Sequence, residues 1–168
     1  MTTYRTRHGG TLRASDIGAE VQLAGWVARR RDHGGVTFVD LRDTSGIVQV
    51  VVNPDDAPAP EEVLRGLRNE YCISVTGTVR PRPEGTNNPD MATGEVEVGV
   101  TYLEVLSTAD VLPFQIDERF DADEARRLQY RYLDLRRDKM AANLKARSTA
   151  IRAMRHVLDD RDFLEVET

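Results

Sequence analysis

Residues 21–53 read VQLAGWVARRRDHGGVTFVDLRDTSGIVQVVVN, and apolar positions recur there at period two. Val21, Leu23 and Val27 share one face of a first strand, predicted from Val21 to about Arg30. Gly25 falls on the same face, where a glycine marks a sharp coil or a close backbone approach. Asp32-His33-Gly34-Gly35 and Thr44-Ser45-Gly46 have turn compositions and divide the stretch into three strands of an antiparallel meander. In the second strand Val39 and Leu41 take the inner face, leaving Phe38 and Asp40 on the other. In the third, Val48, Val50 and Val52 face inward and Gln49 points the opposite way. An aromatic ring and an amide on the wet side of a sheet, reached through Arg29-Arg30-Arg31, are suited to stacking and reading an unpaired base.

Before this meander, Ser15 or Asp16 is placed to start a single helical turn. After it, the proline-rich residues 54–60 form a loop. Residues 61–68 carry acids first and arginines last, with Val63, Leu64 and Leu67 together, which is a short amphipathic helix in dipole order. A fourth strand turns Tyr71, Ile73, Val75, Gly77 and Val79 inward, and residues 80–89 are a polar loop. A fifth strand, residues 94–106, has Val96, Val98 and Val100 on one face and Glu95 and Glu97 on the other, exposed one. Three strands, a helix and two strands is the order of a five-stranded OB barrel, which binds oligonucleotides on its second and third strands.

Residues 107–123 have neither strand nor helix period. Helical spacing starts beyond Asp121, which is placed to cap with Glu124 three residues on, and continues through Leu128, Tyr132 and Leu135. A second helix spans about residues 139–160, its stripe made of Met140, Leu144, Ile151, Met154, Val157 and Leu158. Residues 163–168 look like a strand beginning. No second layer for that stripe is evident, so the sequence reads as a fragment. The fold class is mainly β with a helical tail: an OB barrel over 1–106, a linker and hinge helix over 107–138, and a truncated further domain over 139–168.

Composition narrows the function. The chain is 40% hydrophobic and 30% charged, as soluble globular proteins are. The N-terminus has no apolar core of a secretory signal, and no apolar run reaches membrane-spanning length, so a cytoplasmic setting and no membrane are expected. One cysteine, Cys72, excludes an internal disulfide and a cysteine-cluster zinc site. No His/Asp/Glu set has zinc spacing, no glycine-rich phosphate loop occurs, and no nucleophile has a recognisable partner. A net charge of −5 confines any nucleic-acid contact to a local patch. Nearly all the bases are arginine, suited to phosphate forks and base edges.

Each candidate has a plainer alternative. Arginines at a strand end are usually just solvated, Glu97 is ordinarily the exposed partner of an alternating strand, and His33 is by default a loop residue. Phe38 alone would be core, but Val39 and Leu41 already claim that face. Gln49 among apolar neighbours would need a buried partner if it were inside. From pattern alone, the chain is an OB-type nucleic-acid-binding module without a catalytic site.

The segments GWVARRRDHGGVTFVDLRDTSGIVQVV, LRNEYCISVTGTVRPRPEG, MATGEVEV and EARRLQYRYLDLRR, in this order, closely resemble bacterial aspartate–tRNA ligases. YRYLDLRR is highly specific among them. The resemblance implies an N-terminal anticodon-binding OB domain, a hinge, and a class II catalytic domain of which residues 144–168 look like the start of motif 1, at the homodimer interface. The ATP and aspartate sites, with Mg²⁺, are implied to lie outside these residues, so the chain alone is expected to be inactive. Carried over, the stacking aromatic falls on Phe38 and the base-reading amide on Gln49. Arg31, Arg82 and Glu97 fall on positions that contact the anticodon loop. His33 and Gly85 stand where strictly aspartate-specific enzymes have leucine and lysine. They resemble the non-discriminating type, which charges both tRNA-Asp and tRNA-Asn. The implied partners are therefore these tRNAs and a second subunit, with no DNA. A stand-alone OB protein acting on RNA, and a pure dimerisation fragment, are the competing possibilities.

Overall fold

The computed structural model describes residues 4–54 and 61–166. Most of the expected loop over 54–60 lies outside them. The chain divides into two compact units, residues 1–110 and 111–168.

In the first unit, five strands close into a barrel: β1 (Glu20–His33), β2 (Val36–Asp43), β3 (Gly46–Val52), β4 (Cys72–Pro81) and β5 (Val96–Ser107), in the order β1-β2-β3-β5-β4. The long first strand serves two partners, pairing with β4 up to Trp26 and with β2 from there to His33. A bulge between Val27 and Arg29 lies within the β2-paired half. Closure comes from a short parallel contact, Val50 opposite Val98 and Val51 opposite Gly99. The inward valines and leucines named above fill the interior, where Val27, Val39, Val48, Val50, Val96 and Val98 are wholly buried. Filling a small barrel with β-branched side chains removes every sheet edge and supplies the hydrophobic driving force together. A short helix, α1 (Glu61–Gly66), sits between β3 and β4, and Leu64 and Leu67 of this segment join the barrel core.

Gly25 is a close-approach position. A Cβ there would land on the carbonyl oxygen of Arg42 and lie 3.3 Å from Leu41 Cγ. The hairpin between β1 and β2 turns on Gly34 and Gly35 alone, both with positive φ (59° and 82°), so Asp32 and His33 belong to the strand and not to a loop.

Ahead of β1, two single 3₁₀ turns, Gly9–Thr11 and Ala14–Asp16, take the place of the one expected turn. The first is pinned by Asp43, whose Oδ2 accepts from Gly9 N at 2.7 Å and whose Oδ1 accepts from Ser45 N at 2.7 Å and Ser45 Oγ at 2.5 Å. Burial works to raise the Asp43 pKa. The hydrogen bonds from Ser45 and Gly9, with His8 close by, outweigh it and leave the carboxyl below its ordinary value. The stability this contributes is present above the unfolded carboxylate pKa of about 3.9 and is lost as pH falls through the lower folded value. Asp43→Asn is expected to cost about 1–3 kcal/mol at neutral pH. In urea titrations the variant should lose less stability than the parent between pH 6.5 and acidic pH; parallel losses would contradict the assignment.

The second unit has its own small core of Phe114, Ile116 and Leu133. The expected hinge helix is two pieces, α2 (Glu124–Gln129) and α3 (Arg131–Asp134), because Tyr130 leaves the helical region at φ −112°, ψ 50°. Asp123, not Asp121, caps α2, its side chain accepting from Arg126 N at 3.3 Å, while Asp121 accepts from Ala122 N. The break also turns the apolar face: Leu128 and Tyr132 are exposed and Leu133 is the residue inside. Asp134 is completely buried and paired with Arg127 and Arg131, each at 2.7 Å. The YRYLDLRR segment therefore supplies an anchor for the small core, a buried carboxylate and one of its two cations, Arg131, while Arg127 comes from α2.

The long helix α4 (Asp138–Asp159) matches expectation closely, and no residue on it is buried. Leu144, Met154, Val157 and Leu158 are 44–59% exposed, as a stripe without a second layer must be. No strand forms over residues 163–166, consistent with a strand that lacks a ladder to join.

Candidate nucleic-acid interface

Pairing in the sheet brings most of the candidate residues to one outer face. Phe38 is directly opposite Arg31 on one side and Val51 on the other, and Asp40 is opposite Gln49. Cross-strand partners project to the same side, so Arg31, Phe38, Asp40 and Gln49 share a surface. Phe38 is half-buried and takes no part in the barrel core, as the alternation predicts.

Gln49 and Glu97 differ from expectation. Neither is exposed: Gln49 keeps 7% of its surface and Glu97 3%. Both point outward from the barrel wall, yet they meet each other, with Gln49 Nε2 donating to Glu97 Oε2 at 2.9 Å. Burial is possible because every polar end is satisfied. Arg31 Nη2 donates to Gln49 Oε1 at 3.2 Å and to Asp40 Oδ1 at 2.7 Å, and Arg80 Nε donates to Glu97 Oε1 at 2.8 Å. The buried partner that Gln49 needed is thus a carboxylate from β5, 48 residues further along.

Arg82 stands just past β4, where its Nε donates to the Val96 carbonyl at 3.2 Å and its Nη2 lies 3.7 Å from Met91 Sδ. Burial lowers its guanidinium pKa, the charges of Glu97 and Asp40 work the other way, and Arg31 adds to the lowering. These influences put Arg82 in the same electrostatic neighbourhood as the face residues. His33, opposite Val36, is an exposed residue at the end of the same face. Gly85 stands apart. It occupies the third position of a turn closed by Thr86 N to Pro83 O at 3.0 Å, with φ 79° and open space around it.

Two members of the network escaped sequence reading, Asp40 as a partner and Arg80 altogether. Asp40 shares the parity of Phe38, and Arg80 is directly opposite Glu97 in the β4–β5 ladder. The second signal exists only once those strands are paired. The face as a whole combines a half-exposed ring, a hydrogen-bonded amide, two carboxylates and three guanidinium groups. That combination can stack a base, meet its polar edge and neutralise phosphate.

A closed five-stranded barrel with such a face is the architecture of an OB-fold nucleic-acid-binding protein. Residues 21–106 match the family described as OB-fold nucleic acid binding domain, and the chain belongs to that family; residues 123–168 match the class II tRNA synthetases (D, K and N). Over nearly its whole length the chain is homologous to proteins named Aspartate--tRNA(Asp/Asn) ligase. It is 57% identical to the one from Salinispora tropica over 164 residues, 98% of this chain and 26% of that protein. With the one from Thermobifida fusca the identity is 56%, over 98% of this chain and 27% of the relative. The chain thus spans about a quarter of the length of these relatives. Among solved structures, asparaginyl-tRNA synthetase from Pyrococcus horikoshii matches with a TM-score of 0.82 at 28% identity, over 98% of this chain and 38% of that one. An aspartyl tRNA synthetase from Entamoeba histolytica, at 21% identity over 92% of this chain and 37% of that one, shares the fold with a TM-score of 0.82.

Proposed function

We propose that this chain is the anticodon-recognition region of an aspartate–tRNA ligase that charges both tRNA-Asp and tRNA-Asn in the cytoplasm. The observation that carries it is the buried Gln49–Glu97 pair on the outer face, beside the half-exposed Phe38, bonded to Arg31 and Arg80 and in the electrostatic neighbourhood of Arg82. In this reading Phe38 stacks on a base, Gln49 and Glu97 meet base edges, and Arg31 and Arg82 take phosphate or acceptor edges. Residues 107–138 act as the hinge, and residues 139–168 begin the class II catalytic domain. The uncovered stripe of α4 is where a second subunit would pack. ATP, Mg²⁺ and aspartate bind the remaining three quarters of such a protein; among the described residues of this chain, no cluster of three His, Cys, Asp or Glu is placed to hold a metal. A stand-alone RNA-binding role finds no support among the relatives, which carry the ligase name. The direct test is binding of residues 1–168 to anticodon stem-loops of the two tRNAs. Weak binding that falls further with added salt is expected; absence of binding at low salt would refute the reading.

His33 and Gly85 carry the dual-specificity part. In a ligase containing the catalytic domain, His33→Leu with Gly85→Lys is expected to lower kcat/KM for tRNA-Asn relative to tRNA-Asp, leaving aspartate activation unchanged. Lysine at 85 has room, but at φ 79° it adds strain of about 1–2 kcal/mol to the turn. His33→Leu alone therefore serves as the cleaner comparison. An unchanged ratio, or a parent that already rejects tRNA-Asn, would remove the dual assignment and leave anticodon binding intact.

A further inference from the structure

The polar chain on the outer face takes one residue from each of the five strands. It runs from Asp40 (β2) through Arg31 (β1), Gln49 (β3) and Glu97 (β5) to Arg80 (β4). A carboxamide has two nearly isosteric orientations, related by exchange of its oxygen and nitrogen. Here the orientation is dictated from both sides. A cation sits against Oε1 and an anion against Nε2, and each of these charged partners is itself held by an opposite charge further out. Turning the amide over would set Oε1 against the Glu97 carboxylate and Nε2 against the Arg31 guanidinium. Acceptor would face acceptor and donor face donor in a site nearly closed to water, where such mismatches are costly.

A fixed amide has one remaining N–H and one remaining oxygen lone pair, in a set order. Pyrimidines differ in that order: along the Watson–Crick edge uracil offers N3–H and then O4, whereas cytosine offers N3 as an acceptor and then an N4–H donor. An amide free to turn over satisfies either base; a locked one, facing a base held in register at N3 and position 4, satisfies one and opposes the other. Arg31 and Arg80 each keep 42% of their side-chain surface. A base can therefore approach beside these flexible guanidinium groups, whose bonds to Gln49 and Glu97 keep the amide oriented, with the barrel backbone unmoved.

We propose that Arg80 and Asp40 are positioning residues that lock the Gln49 amide through Glu97 and Arg31, and that this lock makes the barrel discriminate uracil from cytosine at one anticodon position. The inference rests on the anticodon-reading function proposed above.

The test uses residues 1–168 and stem-loops in which uracil and cytosine are exchanged at each anticodon position in turn. The parent is expected to show a Kd ratio of about 5- to 150-fold at one position, the range for a good bidentate base contact. Arg80→Met should bring that ratio toward one, Arg80→Lys should restore most of it, and Asp40→Asn should reduce it from the other end. A ratio near one in the parent at every position overturns the lock, as does an Arg80→Met ratio equal to the parent's. Uniform weakening on all loops would make Arg80 a phosphate contact only, which also overturns it. If no stem-loop binds at all, the functional reading fails, and the inference with it; binding with an unmoved ratio defeats the inference alone. A readout without RNA guards against a variant that does not fold. The Gln49 side-chain NH₂ protons should exchange slowly with solvent in the parent chain and faster in Asp40→Asn. Fast exchange in the parent would itself contradict a locked amide.

Discussion

Phe38→Ala is expected to weaken binding of an anticodon stem-loop by about 1–3 kcal/mol while leaving the barrel folded. The loss is that of one base–aromatic stack, and it should be similar whichever base occupies the position, because every base has a π-face. Stability should hardly change, since Phe38 is outside the cluster of buried side chains that fills the barrel. Calorimetric or fluorescence titration gives the first quantity and thermal unfolding the second. Unfolding of the variant would mean that Phe38 is a packing residue and that the assigned interface is wrong. Undiminished binding in a folded variant would move the stacking site elsewhere.

Gly25→Ala should markedly lower the stability of the barrel. The added carbon would meet the carbonyl oxygen of Arg42, and backbone cannot give way as a side chain can. Overpacking of this kind costs about 1–3 kcal/mol, occasionally more. The cost has a functional consequence, because Gly25 is just ahead of the point where β1 leaves β4 and continues along β2 to Arg31. Denaturant titration of the chain should show a lower midpoint, and RNA binding should weaken in step with the folded fraction. A variant as stable as the parent would show that β1 and β2 can separate without penalty.

Much of this protein follows from local pattern. Period-two alternation placed Val39 and Leu41 inside and Phe38 outside. Three strands, a helix and two strands indicated the barrel. The apolar stripe of residues 139–160 matched α4 within a residue at each end. These features are legible because side-chain direction in a strand or helix depends only on neighbours along the chain. The same rule misjudged Glu97 and the hinge. Alternation correctly turned Glu97 outward but equated outward with exposed, and Arg80 and Gln49 from two other strands cover it. Helical spacing ran a single helix through Tyr130, where the buried Asp134 with its two arginines and the small core around Leu133 accompany two shorter pieces.

By itself, the sequence determined which residues face the barrel interior, where the chain turns, and that an aromatic and an amide share the outer face with arginines. Only the tertiary structure decided that Gln49 is buried, that its amide is held between a cation and a carboxylate, and that the face draws a residue from every strand. The reason is separation along the chain. Gln49 and Glu97 are 48 residues apart, and Arg31 and Gln49 are 18 apart. No local periodicity carries information over such distances; closure of the barrel brings those groups within hydrogen-bonding reach.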